Sequence, residues 1–194
     1  MNANKKPRLL LLSDLWGKEK SDWISFYTEI LEEHFELHYY DCCALGNIDK
    51  FIYSEENLHQ QFVNGGIEIA VEKLSQEETA TINILGFSIG GLIAWQAGNS
   101  GLKIENLIAI SSTRLRYETQ KPSAMITLYF GKNDKFKPDD NWFDNLDLKE
   151  NLFPNENHEF YQKKEVAATI CNQIIEQLKK KKKKAHIIQL VMKS

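Results

Sequence analysis

The chain has 194 residues and a mass of 22.5 kDa, a size that predicts one domain. Hydrophobic residues make up 42% and charged residues 26%, a balance typical of globular proteins that excludes collagen-like, disordered and disulfide-scaffold classes. The three cysteines, Cys42, Cys43 and Cys171, follow neither metal-ligand nor disulfide-framework spacing. We therefore expect no metal, no cofactor and a reducing, cytoplasmic compartment.

The net charge of −3 conceals a basic segment at the end of the chain. Residues 179–184 are six consecutive lysines, Lys193 follows, and no acid occurs in 179–194. Without those seven lysines the remaining chain carries a net charge of about −10. We therefore expect one domain over residues 1–178 that does not bind nucleic acid, followed by a lysine-rich tail over 179–194.

The tail allows two interpretations, an electrostatic anchor for anionic lipid or nucleic acid, or a solvated extension of the last helix, and we favour the second. The apolar run Leu9 to Leu12 is too short for a secretory signal, and no segment reaches the length of a membrane span. We expect no stable membrane association. Oligomeric state leaves no signal in the sequence.

Apolar periodicity predicts strands that alternate with amphipathic helices along the chain. The predicted strands cover 8–13, 35–40, 81–85, 105–111, 124–130 and 148–153, and the predicted helices cover 21–34, 56–75, 90–98 and 160–178. This alternation is typical of βαβ units, so the predicted fold is a three-layer α/β/α sandwich with a mostly parallel sheet of about six strands. In such sheets, functional residues collect in the loops after the carboxyl ends of the strands.

The strongest local motif is Gly86-Phe87-Ser88-Ile89-Gly90-Gly91, which follows one predicted strand and opens a helix. G-x-S-x-G in this context is a nucleophile elbow, in which a sharp turn presents the serine at the top of the sheet. Glycine is needed at 86 and 90 because a Cβ there would clash across the turn. The helix N-terminus also offers the N–H of Ile89 to a developing oxyanion.

A nucleophilic serine needs a base, and the base needs an acid to orient it. Elbow folds supply them in the chain order Ser, Asp or Glu, His. Only His158 and His186 follow Ser88, and His186 lies beyond the lysine run. We therefore predict His158 as the base and Asp134, just past the fifth strand, as the acid. The acids further from a strand end remain alternatives: Asp139, Asp140 and Asp144.

Taken together, the elbow, Gly131-Lys132-Asn133-Asp134 and His158 resemble the α/β-hydrolase superfamily over nearly all of residues 8–178. The resemblance implies that the loop after the first strand supplies a second oxyanion donor, the N–H of Leu15 or that of Trp16. Ser13-Asp14 stands where relatives often have His-Gly. An inward-facing Asp14 would oppose the oxyanion, so we expect its carboxylate to point away and to accept loop N–H groups.

The chain is also short for such a fold, since only Ser112 to Ser123 is available where relatives insert a lid. We expect no cap domain and an open, shallow site with an apolar wall formed by Trp16, Phe87 and Phe136. An open site suits a small ester or an acyl group on a larger carrier.

The leading hypothesis is a serine hydrolase that cleaves a carboxylic ester or thioester through an acyl-enzyme. The alternative is a catalytically silent member of the fold that binds a ligand or a protein.

Overall fold

The computed structural model describes residues 6–191, with side chains over 6–180 and at Lys183. Its centre is a six-stranded sheet in which every pairing is parallel and the strand order is β2-β1-β3-β4-β5-β6. The strands are β1 Arg8–Leu12, β2 Glu36–Tyr40, β3 Ile82–Phe87, β4 Ile104–Ile110, β5 Met125–Gly131 and β6 Glu150–Phe153. The predicted fold class is confirmed.

Helices cover both faces of this sheet. They are α1 Ser25–Leu31, α2 Cys42–Leu45, α3 Glu55–Gln61, α4 Ile67–Glu77, α5 Ile89–Asn99, α6 Asp140–Asn145 and α7 Lys164–Val191. Side chains of α1 and α7 share one hydrophobic cluster, and side chains of α2 to α6 share the other. The molecule is therefore a three-layer α/β/α sandwich.

Strand β1 shows how the sequence builds these layers. Leu9 and Leu11 face the α1 and α7 layer, whereas Leu10 and Leu12 face the opposite layer, and all four are completely buried. Because successive side chains of a strand point to opposite faces, a strand covered on both sides must be apolar at every position. The unbroken leucine run is thus the mark of a central strand.

The helix predicted over 56–75 is interrupted. After α3 the chain passes through a π-helical turn, Phe62–Gly66, before α4 begins. Gly65 has φ = 119°, a conformation that glycine adopts without a Cβ penalty. The pair Gly65-Gly66 therefore divides the predicted helix into two.

Helix boundaries elsewhere differ from the prediction in smaller ways. The segment predicted as helix over 21–34 begins with a 3₁₀ turn, Asp22–Ile24, and only then becomes α1. The short helices α2 and α6 were not predicted, because four to six residues carry too little periodicity. Each begins at an aspartate cap: Asp41 accepts the N–H groups of Cys43 and Ala44, and Asp139 accepts that of Trp142.

Helix α7, Lys164–Val191, runs without interruption through the predicted boundary at residue 178. Most side chains of the lysine run, that of His186, and all of Met192 to Ser194 lie outside the described residues. The division into a domain and a tail stays a prediction. Within residues 6–191, no helix is both long enough and apolar enough to cross a bilayer.

Candidate active site

Ser88 lies on the turn between β3 and α5, and its backbone is strained. Its φ of 48° and ψ of −111° fall outside the regions that side chains normally allow. A Cβ on Gly86 would lie 2.6 Å from the backbone of Gly91, and one on Gly90 would lie 2.5 Å from the carbonyl oxygen of Ser13. The predicted clash across the turn is therefore confirmed for Gly86, whereas glycine at 90 is required by the close approach of the end of β1.

The side chains of Ser88, His158 and Asp134 converge at the carboxyl edge of the sheet. The Ser88 Oγ lies 3.1 Å from the His158 Nε2, and the His158 Nδ1 lies 2.7 Å from the Asp134 Oδ2. A proton on Nδ1 would be donated to the carboxylate, which leaves Nε2 free to accept from the serine hydroxyl. The geometry is that of a nucleophile, a base and an orienting acid.

Asp134 is buried in the turn after β5, and its Oδ1 accepts the N–H of Phe136 at 3.0 Å. Burial alone would raise the pKa of this carboxyl. The hydrogen bonds from His158 and from the Phe136 N–H, with the nearby charge of Arg116, outweigh burial and hold the pKa below its ordinary value. The group is therefore set up to remain a carboxylate beside the imidazole.

Two contacts hold the segment that carries His158 against the sheet. The hydroxyl of Ser111, directly after β4, donates to the carbonyl oxygen of His158. The end of β5 packs so closely on this segment that a Cβ on Gly131 would overlap the carbonyl oxygens of Glu156 and Asn157. Sequence reasoning missed Ser111, although its place after a strand at the same sheet edge is a usable signal.

The two predicted oxyanion donors lie on the same cleft as Ser88. Ile89 begins α5, Leu15 follows β1, and both line the cleft. In the described part of the chain, neither backbone N–H has a hydrogen-bond acceptor. The Trp16 N–H, the other candidate, already donates to the Asp14 Oδ1 at 2.9 Å.

Asp14 faces away from the cleft, into the protein. It is completely buried, and its Oδ2 accepts the hydroxyl proton of Tyr161 at 3.0 Å. Burial raises the pKa of the Asp14 carboxyl to about 6, against the lowering effect of the hydrogen bonds from Trp16 and Tyr161. The expected orientation of Asp14 is therefore the one observed, with one backbone N–H and one side chain as its partners.

The cleft has a volume of about 720 Å³. Beside Ser88 and His158 it is bordered by α3, by the 3₁₀ turn Thr113–Tyr117 and by the loop that carries Phe136. The segment 112–123 thus contributes a single turn to the wall, and no cap domain is present within the described residues.

Of the three predicted wall residues, only Phe136 lines the cleft, with 65% of its surface exposed. The predictions for Phe87 and Trp16 are wrong. Phe87 is completely buried and packs against Trp23 and Tyr27, because the strand alternation turns it toward the α1 and α7 layer.

Trp16 instead forms an edge-on contact with Tyr53, and the Lys20 ammonium lies 3.5 Å from its ring centroid. Within the described residues, no group of three His, Cys, Asp or Glu side chains is arranged to hold a metal ion.

No protein-family model matches the sequence, and no curated protein matches it significantly. Solved structures do resemble this protein in fold. A protein from Xanthomonas campestris assigned to the α/β hydrolase superfamily aligns with a TM-score of 0.65 and 12% identity, over 89% of this chain and 99% of that chain. Est1E from Butyrivibrio proteoclasticus, solved with ferulic acid bound, aligns with a TM-score of 0.62 and 15% identity, over 91% of each chain.

A protein from Klebsiella pneumoniae assigned as a dienelactone hydrolase gives a TM-score of 0.64 and 12% identity, over 90% of this chain and 87% of that chain. These likenesses, with the sheet order and the elbow, define the class: the chain has the α/β-hydrolase fold. At such low identity they establish the fold alone.

Proposed function

We propose that this protein is a serine hydrolase that cleaves a carboxylic ester or thioester through an acyl-enzyme. The observation that carries the proposal is the continuous hydrogen-bonded chain from Ser88 through His158 to Asp134. Its structural neighbours include proteins assigned as a hydrolase of the α/β superfamily and as a dienelactone hydrolase, which supports the general class.

In the first half-reaction, the His158 Nε2 takes the proton of the Ser88 hydroxyl as Oγ attacks the carbonyl carbon. The Asp134 carboxylate keeps the other imidazole proton on Nδ1 and stabilises the imidazolium that forms. The imidazolium then protonates the leaving alkoxide or thiolate as the bond to the acyl carbon breaks. Water repeats the sequence on the acyl-enzyme, releasing the acid and the free serine.

The negative charge on the carbonyl oxygen would be held by the N–H groups of Ile89 and Leu15. Removing one donor of an oxyanion hole typically raises the barrier by about 3 kcal/mol. Asp14 contributes indirectly, because its bond to the Trp16 N–H shapes the turn that contains Leu15. The substrate is either a small ester or an acyl group on a larger carrier.

A fluorophosphonate probe tests the nucleophile directly. We expect the wild-type protein to be labelled at one site and Ser88→Ala not to be labelled. Ser100→Ala is the matched control, because Ser100 is exposed at the far end of the same helix. Absence of wild-type labelling would reject the hydrolase and favour the alternative, a silent binding module.

Turnover is then measured with p-nitrophenyl esters of graded acyl length and with acyl thioesters. We expect hydrolysis of at least one series, with a loss of at least about 1,000-fold in kcat for Ser88→Ala. Activity that survives in Ser88→Ala would show that another group performs the chemistry.

A further inference from the structure

The cleft beside Ser88 contains positive charge that the proposed triad does not use. Two arginines of the turn Thr113–Tyr117, Arg114 and Arg116, line it, and both are half-buried. The three carboxylates on the cleft, those of Glu55, Glu56 and Glu159, belong to exposed residues. The positive groups thus sit deeper than the negative ones.

Arg116 is occupied by the protein itself. Its guanidinium donates to the carbonyl oxygens of Thr113 and Phe136 at 2.9 and 3.2 Å and to the hydroxyl of Tyr117 at 2.8 Å. These bonds tie the turn Thr113–Tyr117 to the loop after β5 that carries Asp134. Arg116 therefore has a structural role that does not require a ligand.

Arg114 differs from Arg116 in having no such partner. Its Nε is buried without a hydrogen-bond acceptor, and no carboxylate among the described residues forms an ion pair with it. The Arg114 guanidinium carbon lies 5.3 Å from the centroid of the Tyr117 ring. The Nε has no exposed surface, so an acceptor from outside the protein would be bound by the two terminal nitrogens of the guanidinium, which have no hydrogen-bond partner among the described residues.

The electrostatics of the cleft agree with this reading. His59 lies on the same cleft, and its pKa is lowered first by partial burial and next by the charge of Arg114. Glu55, which acts in the opposite direction, has a smaller effect than Arg114.

We infer that Arg114 is a specificity residue that binds an anionic group of the substrate, a carboxylate or a phosphate, while Ser88 attacks the carbonyl. This inference rests on the proposed function and narrows it to esters or thioesters that carry a negative charge. A guanidinium suits such a group because it can donate two parallel hydrogen bonds to two oxygens. Substrate charge could lie on the acyl part or on the leaving group.

Two matched pairs of substrates distinguish a negative charge on the acyl part from one on the leaving group. On the acyl side, p-nitrophenyl hemiglutarate is compared with its neutral methyl ester. On the leaving-group side, butyryl-coenzyme A is compared with S-butyryl-N-acetylcysteamine. For at least one pair we expect wild-type kcat/KM to favour the anion by about tenfold or more, the size expected of one charge-assisted contact.

In Arg114→Gln we expect that preference to fall by about tenfold, with kcat/KM for the neutral substrate nearly unchanged. Arg114→Lys should retain part of the preference, since it keeps the charge but loses the planar fork. Lys103→Gln is the matched control: it removes one positive charge at the opposite, amino end of β4, and should leave the preference intact. Thermal unfolding checks that each variant folds.

A binding measurement keeps the inference separable from catalysis. Calorimetry with glutarate and with coenzyme A is performed on Ser88→Ala and on the double variant that also carries Arg114→Gln. Weaker binding of either anion in the double variant supports the inference even if the protein proves inactive. The inference about Arg114 would be overturned if both proteins bound the anions with equal affinity and if Arg114→Gln did not change the substrate preferences. In that case, hydrolysis of neutral esters that depends on Ser88 would still support the proposed function.

Discussion

Tyr161 donates a 3.0 Å hydrogen bond to the Oδ2 of Asp14, a residue 147 positions earlier in the chain. Both side chains are almost completely buried, so this bond is made away from competing water. It joins the loop after β1, which contains Leu15, to the 3₁₀ turn that begins at His158. This bond therefore holds together, on the side that faces the protein interior, two segments that are proposed to act on one substrate.

The buried carboxyl of Asp14 predicts a pH-dependent stability. Its pKa is raised from 3.8 to about 6, so the folded state binds a proton that the unfolded state releases. The stability associated with this group is therefore present at low pH and lost as pH rises from about 4 through 6. The loss amounts to about 3 kcal/mol, at about 1.4 kcal/mol for each pKa unit.

Asp14→Asn removes this titration while keeping an acceptor for the Trp16 N–H. We expect the variant to gain stability relative to wild type by about 3 kcal/mol between pH 4 and pH 7, as measured by urea unfolding of both proteins across that range. A difference between the two proteins that does not change with pH would contradict the prediction.

The strained backbone of Ser88 predicts that stability improves when this serine becomes glycine. A non-glycine residue in such a conformation costs about 1–3 kcal/mol, which exceeds the extra chain entropy of glycine. Ser88→Gly should therefore be more stable than Ser88→Ala by about 1 kcal/mol in chemical denaturation. At Ser100, where φ is −86°, the order should reverse, with Ser100→Ala the more stable. The same order at both sites would argue against strain at the elbow.

Asp134→Asn tests the orienting acid. An amide at this position can donate to the His158 Nδ1, which would place the imidazole proton on Nε2 and prevent it from accepting the serine proton. We expect kcat to fall by about three to four orders of magnitude with the fold retained. Asp144→Asn, at an exposed acid in α6, should leave kcat unchanged. A loss below tenfold for Asp134→Asn would remove Asp134 from the proposed mechanism.

Asp134 also sets a limit on the pH profile. Because its pKa lies below the ordinary 3.8, its stabilising effect is present above that pH and is lost only as pH falls further. Asp134 itself should therefore contribute no inflection to a kcat/KM profile above pH 5.

Ser111→Ala should disturb His158 without removing any reacting group. Losing the hydroxyl that donates to the His158 carbonyl oxygen should destabilise the fold by about 1 kcal/mol and lower kcat by about tenfold at unchanged KM. Ser112→Ala removes a neighbouring buried hydroxyl that bonds Ile110 rather than His158, and should leave kcat near wild type. Equal effects of the two substitutions would show that Ser111 acts only through general packing.

Gly131→Ala tests the close packing of β5 on the same segment. The added methyl group would overlap the carbonyl oxygens of Glu156 and Asn157 and push His158 away from Ser88. Since a displacement of about 1 Å can cost about 100-fold in rate, we expect both kcat and fluorophosphonate labelling to fall sharply. Lys132→Ala, at the adjacent exposed position, is the control, and a Gly131→Ala protein labelled at the wild-type rate would refute the prediction.

The sequence alone determined the layers and the elbow, because both depend on neighbouring residues. A short apolar run such as Leu9 to Leu12 predicts a strand covered on both faces, and the glycine at 86 meets a steric requirement within one turn. The glycine at 90 makes room for the end of β1 instead. The order serine, acid, histidine then selected Asp134 and His158, which the fold brings within hydrogen-bonding distance.

Only the tertiary structure decided what depends on residues far apart in the chain. Strand alternation fixes only the face of the sheet to which Phe87 points, and nothing local shows that Trp23 and Tyr27 cover it there or that Trp16 packs on Tyr53. The bond between Tyr161 and Asp14 and the unpaired guanidinium of Arg114 were likewise unpredictable. Burial and hydrogen-bond partners are properties of the assembled layers, whereas periodicity and turn sterics are written into consecutive residues.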